Sequence, residues 1–249
     1  MATNKLKMNN EKTEIMFFGT PAKVKSIHKK SIMFDNVEVT ISSIVKNLGV
    51  ILDSSLSMEK AISHVRKICY LELRKLSQIR SFLCEESIKK LVASFVINKL
   101  DYCNSLFSAV PDEKIYRLQQ IQNHAARLIR KIPMKESITP VLKDLHWLPV
   151  KARIEFKILV YTYQCLYEES FPTYLSSHIN FYKPSRTLRS SSKLSINKPK
   201  ANLRYFGERS FYVTGPDLWN RLPFNIQSAS SLPIFKRLLK THLFKMYYI

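Results

Sequence analysis

The chain has 249 residues, with 40 Lys plus Arg against 19 Asp plus Glu and a formal net charge of +21, which excludes an ordinary acidic enzyme and points to one or two compact units with a polyanionic partner. With 45% hydrophobic and 11% aromatic residues a core can be buried, so disorder over the full length is excluded too. The basic excess is uneven: residues 1–169 hold 27 basic and 17 acidic residues, whereas residues 170–249 hold 13 basic residues and only Glu208 and Asp217.

Within the first 55 residues, β-prone runs occur at Glu14–Phe18, Ser31–Thr40 and Val45–Leu52, separated by Gly19, Pro21 and a lysine-rich turn. Val37, Val39 and Ile41 alternate with polar residues, as a half-buried strand requires. Three strands at most are expected, in a small sheet whose apolar face needs a cover, either as the edge of a larger domain or packed on the following helices. From Ser57 the period becomes helical. Ser57 caps with Glu59 in the first turn, Ile62, Val65, Cys69, Leu73, Leu76 and Leu83 share one face, and Arg66, Lys67, Arg74 and Lys75 lie opposite.

Glu85 and Glu86 open a second helix, favourable at the positive end of its dipole, that runs through Phe95 and Val96 to end near Lys99–Tyr102. Pro111 suits the first position of a third, with the stripe Ile115, Leu118, Gln122, Ala125, Leu128 and Ile129, and with Gln120, Asn123, Arg127 and Arg130 on the far side. Pro133 stops it. Thr139-Pro140 and Leu148-Pro149 bracket a short element, and Val150–Tyr167 is apolar on almost every side, the pattern of a central buried helix. Phe171–Lys200, rich in Ser, Pro and basic residues, reads as a loop or extended arm. Short segments are expected around Phe211–Val213 and Asp217–Trp219. A last amphipathic helix carries Leu232, Phe235, Leu238, Leu239, His242, Leu243 and Met246 on one stripe, with Lys236, Arg237, Lys240 and Lys245 away from it.

Little enzymatic chemistry can be written from these residues. Four glycines (Gly19, Gly49, Gly207, Gly215) form no phosphate-binding loop, and no two aspartates are adjacent. Glu85-Glu86 and Glu168-Glu169 sit at helix ends, where capping and solvation account for them. The six histidines show no metal-binding spacing, and His146-Trp147 beside Leu148-Pro149 reads as a packed corner. Tyr161, Tyr163 and Tyr167 offer faces for base stacking, but at helical spacing in an apolar segment they read as core. The four cysteines are scattered, consistent with a reducing compartment. No run approaches the ~18 apolar residues of a membrane span, and the polar start is unlike a secretory signal. A soluble, intracellular protein is expected, nuclear or cytoplasmic.

Eight segments, NKLKMNNEKTEIMFFG, NLGVILDSSLSME, KLDYCNSLF, RLQQIQNHAARLI, ITPVLKDLHWLPVKARIEFKILVY, SRTLRSS, GPDLWNRLP and FKRLLKTHLF, together resemble the C-terminal part of the reverse transcriptase of non-LTR (LINE, jockey-like) retrotransposons. They match in collinear order, nearly end to end. The resemblance implies a mainly α fold: residues 1–55 as the remnant of a palm domain, 56–132 as a thumb-like helical bundle, and 133–249 as a basic C-terminal helical region with an arm at 171–200. Lys12 and Thr13 match the end of the family's fourth palm motif, where a lysine is proposed to assist the leaving pyrophosphate, and Leu48 and Gly49 match the fifth, a primer grip. The aspartate pair that holds two magnesium ions belongs upstream of Met1 in that family, so neither polymerase activity nor a cofactor is expected of this chain alone.

The partner that the resemblance implies is RNA or an RNA–DNA duplex, with a full-length copy of the element's protein as a second, and with no membrane and no small-molecule substrate. Candidate phosphate contacts are Arg66, Lys67, Arg74, Lys75, Arg127 and Arg130, with Arg186, Arg189 and Lys193 on the arm. Two other readings stand beside this one: a non-functional retroelement relic or incomplete gene model, and a domesticated interaction module whose C-terminal helix docks on a partner.

Overall fold

Gly49 and its neighbour set the architecture of the first segment. Leu48 (φ 45°) and Gly49 (φ 84°) are both left-handed, the conformation of a two-residue hairpin turn, and they break the run Val45–Leu52 into two strands. The computed structural model describes residues 9, 12–34, 37–182, 194–201 and 206–249. Over these the protein is mainly helical with a short β segment near its N-terminus, and it divides into two compact units, residues 1–64 and 65–249.

In the first unit α1 (Pro21–Lys25) starts on Pro21, with the Thr20 hydroxyl accepting the Lys23 N–H at 3.4 Å. Strands β1 (Ser31–Phe34) and β2 (Val37–Thr40) pair antiparallel with Ile32 opposite Val39, and β3 (Ile44–Asn47) and β4 (Val50–Asp53) pair antiparallel about the Leu48-Gly49 turn. The expected three-stranded sheet is therefore four strands in two separate ladders. The run Glu14–Phe18 contributes a single parallel bridge, Ile15 to Ile41. Helix α2 (Glu59–Ile79) is opened by Asp53, whose carboxylate accepts the N–H groups of Ser57 (2.8 Å) and Met58 (3.0 Å) and the hydroxyls of Ser55 and Ser57. The Ser57 hydroxyl also accepts the Glu59 N–H at 3.3 Å.

In the second unit α2 ends at Ile79, short of Leu83, and a 3₁₀ turn (Arg80–Phe82) follows. Helix α3 (Glu85–Val92) continues through a π turn (Ala93–Ile97) into α4 (Asn98–Asp101). The helix expected from Glu85 to about Lys99–Tyr102 is thus present, with a widened turn that its sequence does not signal. A 3₁₀ turn (Asn104–Phe107) leads to α5 (Asp112–Arg130), with Pro111 one residue outside it. The stripe of α5 is buried as expected, except that Leu128 is half-buried while Ile121 and Ala126 join the core.

Helix α6 (Thr139–Asp144) closes on left-handed His146 (φ 53°), whose N–H bonds the Lys143 carbonyl while the Trp147 N–H bonds that of Leu142. This is a Schellman closure with histidine where glycine is usual, and it gives the His146-Trp147 corner its shape. Helix α7 (Val150–Tyr167) is the central element, packed against α4, α5, α8 (Thr173–Ser176), α9 (Phe211–Asn220) and α11 (Leu232–Tyr248). The two short segments expected near residue 211 and residue 217 are one helix, α9, with Pro216 inside it. A short α10 (Phe224–Gln227) precedes α11.

Trp219 and Phe235 are wholly buried, and Tyr163 stacks on Phe235 with ring centroids 4.5 Å apart while its hydroxyl donates to the Ala229 carbonyl at 2.9 Å. Tyr163 therefore serves the core. Part of the expected arm is ordered on the same core: the Trp219 indole N–H bonds the Leu194 carbonyl at 2.7 Å, and the Asn220 amide pairs with both backbone groups of Ile196 at 2.8 and 3.0 Å.

Candidate nucleic-acid interface

Basic side chains become phosphate contacts only if they are exposed and not already used by the fold. Lys67 and Arg74 on α2 meet both conditions, since they are exposed and neither has an ion-pair partner among the described residues. Lys75 contacts Glu72 at 3.5 Å, a distance that leaves it largely available. Arg66 is half-buried: its guanidinium lies 5.9 Å from the Tyr70 ring centroid and its Nε is buried without a hydrogen-bond partner.

Arg127 and Arg130 are held by the protein itself. Arg127 donates to the carbonyls of Pro133 and Glu136 just beyond the end of α5, and Arg130 pairs with Glu85 at 2.8 Å and with Asp144. Both stand in the last turn of α5, where the helix dipole favours cations. The carbonyls that the last turn leaves unpaired are taken by Arg80, which donates to Leu128 and Ile129 at 2.8 Å each. Arg186, Arg189 and Lys193 lie outside the described residues. Lys12 is exposed, Thr13 bonds the Asn9 carbonyl at 3.0 Å, and Leu48 and Gly49 form the β3–β4 turn with the Leu48 side chain in solvent.

A second basic surface runs along α11, where Lys236, Arg237, Lys240 and Lys245 are all exposed and the helix contains no acid. Lys236 and Lys245 lie about 14 Å apart along the axis at 1.5 Å per residue, and the four cations spread over the solvent-facing half of the helix. Lys240 also lines a cleft of about 530 Å³ together with Asp101, Asn104, His146, Trp147, Arg153, Phe156 and Lys157. Arg153 grips Asp101 through two nitrogens, Nε at 2.8 Å and Nη2 more closely. That pair is neutral, and Lys240 and Lys157, whose Nζ lies 6.0 Å from the Tyr161 ring centroid, have no acidic partner among the described residues.

Asn104 is 2% exposed. Its Nδ2 donates to Asp101 at 3.4 Å, which sets the orientation of the amide, and its Oδ1 has no partner. A buried acceptor left unpaired costs about 1–3 kcal/mol, a cost that the fold carries at a residue lining the cleft.

A larger cleft of about 800 Å³ is electrostatically different. Lys151, Lys198, Lys200 and Arg221 are balanced there by Asp112, Glu155, Glu208 and Asp217. Most of these are already paired, Lys151 with Asp112 at 2.9 Å and Lys198 and Arg221 with Asp217 at 2.6 and 2.5 Å. Burial pushes the Glu155 carboxyl above its ordinary range, and the Tyr247 hydroxyl donates to it at 2.9 Å. The site is balanced and offers an anion no net attraction.

From sequence alone the α11 cations are a solvent face and not a site. Their i, i+1, i+4 spacing was a usable signal, whereas the approach of Asn104, Trp147 and Lys240, from three distant parts of the chain, had none. Among the described residues no three His, Cys, Asp or Glu side chains gather to hold a metal ion, and no helix is long and apolar enough to cross a membrane. Comparison with family models, with curated proteins and with solved structures found nothing that matches this chain.

Proposed function

We propose that this chain binds nucleic acid in a sequence-tolerant way, RNA or an RNA–DNA duplex in particular, as a derivative of the C-terminal part of a non-LTR retrotransposon reverse transcriptase. It does not extend a primer by itself, because the aspartate pair of that family belongs to a segment these residues do not match. The observation that carries the reading is the pair of exposed basic faces, Lys67 with Arg74 on α2 and Lys236 to Lys245 on α11, which have no acidic partners among the described residues. A net +21 repels itself in the free protein, and neutralising phosphates while releasing counterions relieves that repulsion.

Titration with a labelled RNA–DNA duplex at several salt concentrations tests this. The logarithm of the association constant should fall linearly with the logarithm of the salt concentration, and Lys67→Ala with Arg74→Ala should each reduce the slope by about one. Affinity indifferent to salt sinks the proposal. The relic reading and the interaction-module reading have no comparable structural observation behind them.

A further inference from the structure

The geometry points to the Asn104 cleft as a pocket for the base of a single unpaired nucleotide, with the flanking phosphates on Lys157 and Lys240. This deepens the nucleic-acid reading and rests on it. The volume of about 530 Å³ lies in the range of pockets that enclose small ligands. It suits one base with its sugar and is far too small for a duplex. His146, Trp147 and Phe156 line it, so the walls offer aromatic side chains of the kind on which bases stack. Asn104 also lines the cleft; its Oδ1 has no donor and is closed to solvent in the free protein, so a base N–H reaches it as the Asn104 amide is uncovered on entry. Every nucleobase carries an N–H, as an exocyclic amine or a ring imide, so this acceptor serves any base and reads no sequence.

The charge selects the orientation. Arg153 is consumed by Asp101, whereas Lys240 is exposed and continues the α11 face through Lys236 one turn away. A single strand tracking that face brings its backbone to the rim of the cleft while one base turns inward. Unstacking costs least for a base that is already unpaired, so looped or single-stranded RNA should be preferred to a duplex at this site.

Trp147 lines the cleft and the other tryptophan, Trp219, is wholly buried, so quenching of Trp147 fluorescence reports entry of a base. The full chain is titrated with a 12-nucleotide oligouridylate and with an abasic ribose-phosphate strand of the same length. The base-bearing strand should quench, the quench should vanish in Trp147→Phe, and the abasic strand should bind about ten-fold more weakly without quenching. Lys240→Ala changes an exposed residue and should weaken the oligouridylate at least two-fold. Asn104→Leu, checked for native circular dichroism, should reduce the difference between the two strands.

Equal affinity for the two strands, or a Trp147 signal that moves only with an acidic peptide, overturns the pocket. In the first case salt-dependent binding survives, so the nucleic-acid reading stands without it. If neither strand nor a duplex binds at low salt, the broader reading falls and this inference falls with it.

Discussion

Asp53 shows how one side chain can organise a helix start that local propensity leaves ambiguous. Burial raises its carboxyl, but hydrogen bonds from Ser55, Ser57 and Met58 outweigh that and hold it below the usual carboxylate range. The charged form is therefore the folded form, and its contribution is present above the ordinary carboxylate pKa and lost as pH falls through the lowered one. Asp53→Ala should cost about 0.5–2 kcal/mol, with faster amide exchange at Ser57 and Met58 as the local readout. Glu155 has the opposite sign: burial raises it, so what it contributes is present at low pH and lost as pH rises through its raised value.

Cysteine reactivity is ordered by environment in the same way. Burial pushes the thiols of Cys69 and Cys165 up to about 11, whereas hydrogen bonds from the Ser87 side chain and N–H lower that of exposed Cys84. Reaction with iodoacetamide near neutral pH should modify Cys84 well before Cys69 or Cys165, as peptide mass spectrometry after short exposures would show. Equal labelling of the three would contradict this packing. Nothing in the spacing of the cysteines distinguishes them, because thiol reactivity depends on neighbours that only the fold supplies.

At the level of elements, α9 is where sequence reasoning failed most clearly. Gly215 and Pro216 argue for a break between two short segments. The helix forms across them because both residues are buried against α7, and packing outweighs the lost backbone bond at Pro216. Gly215 is needed for that approach: a Cβ there would lie 2.9 Å from Thr162 Oγ1 and 3.4 Å from the Phe211 ring. Gly215→Ala should destabilise by about 1–3 kcal/mol in urea unfolding, and adding Thr162→Ala should recover part of the loss. Additive effects of the two substitutions would rule out the contact as the cause. By contrast, α5 and α7 were legible from sequence, since an apolar stripe and an all-round apolar run each determine a burial pattern without reference to distant residues.

For the whole second unit, α11 is a structural element before it is a binding surface. Phe235, Leu239 and Leu243 are buried in the core with Trp219, Leu159 and Tyr163, so the apolar stripe that the interaction-module reading left free for a partner is already occupied. Removing residues 230–249 should therefore abolish the cooperative thermal transition followed by circular dichroism, and Phe235→Ala alone should cost about 3–5 kcal/mol. A truncated chain that still melts cooperatively near the full-length temperature would show that α11 is peripheral. Where the transition is lost, loss of nucleic-acid binding in the truncation reports unfolding, which is why point substitutions of exposed lysines are the cleaner test.

The sequence by itself determined that the protein is mainly helical, that Val150–Tyr167 lies at the centre of its core, and that a large positive charge is carried on helix faces opposite apolar stripes. These are properties of composition and period, which act over a few turns. The tertiary structure alone decided which cations are spent on the fold and which remain. Arg127 and Arg130 meet carbonyls and carboxylates at the end of α5, while Lys240 comes to line the same cleft as Asn104. Availability of a charge is a matter of what stands within a few ångströms of it, and residues more than a hundred positions apart become neighbours only when the chain has folded.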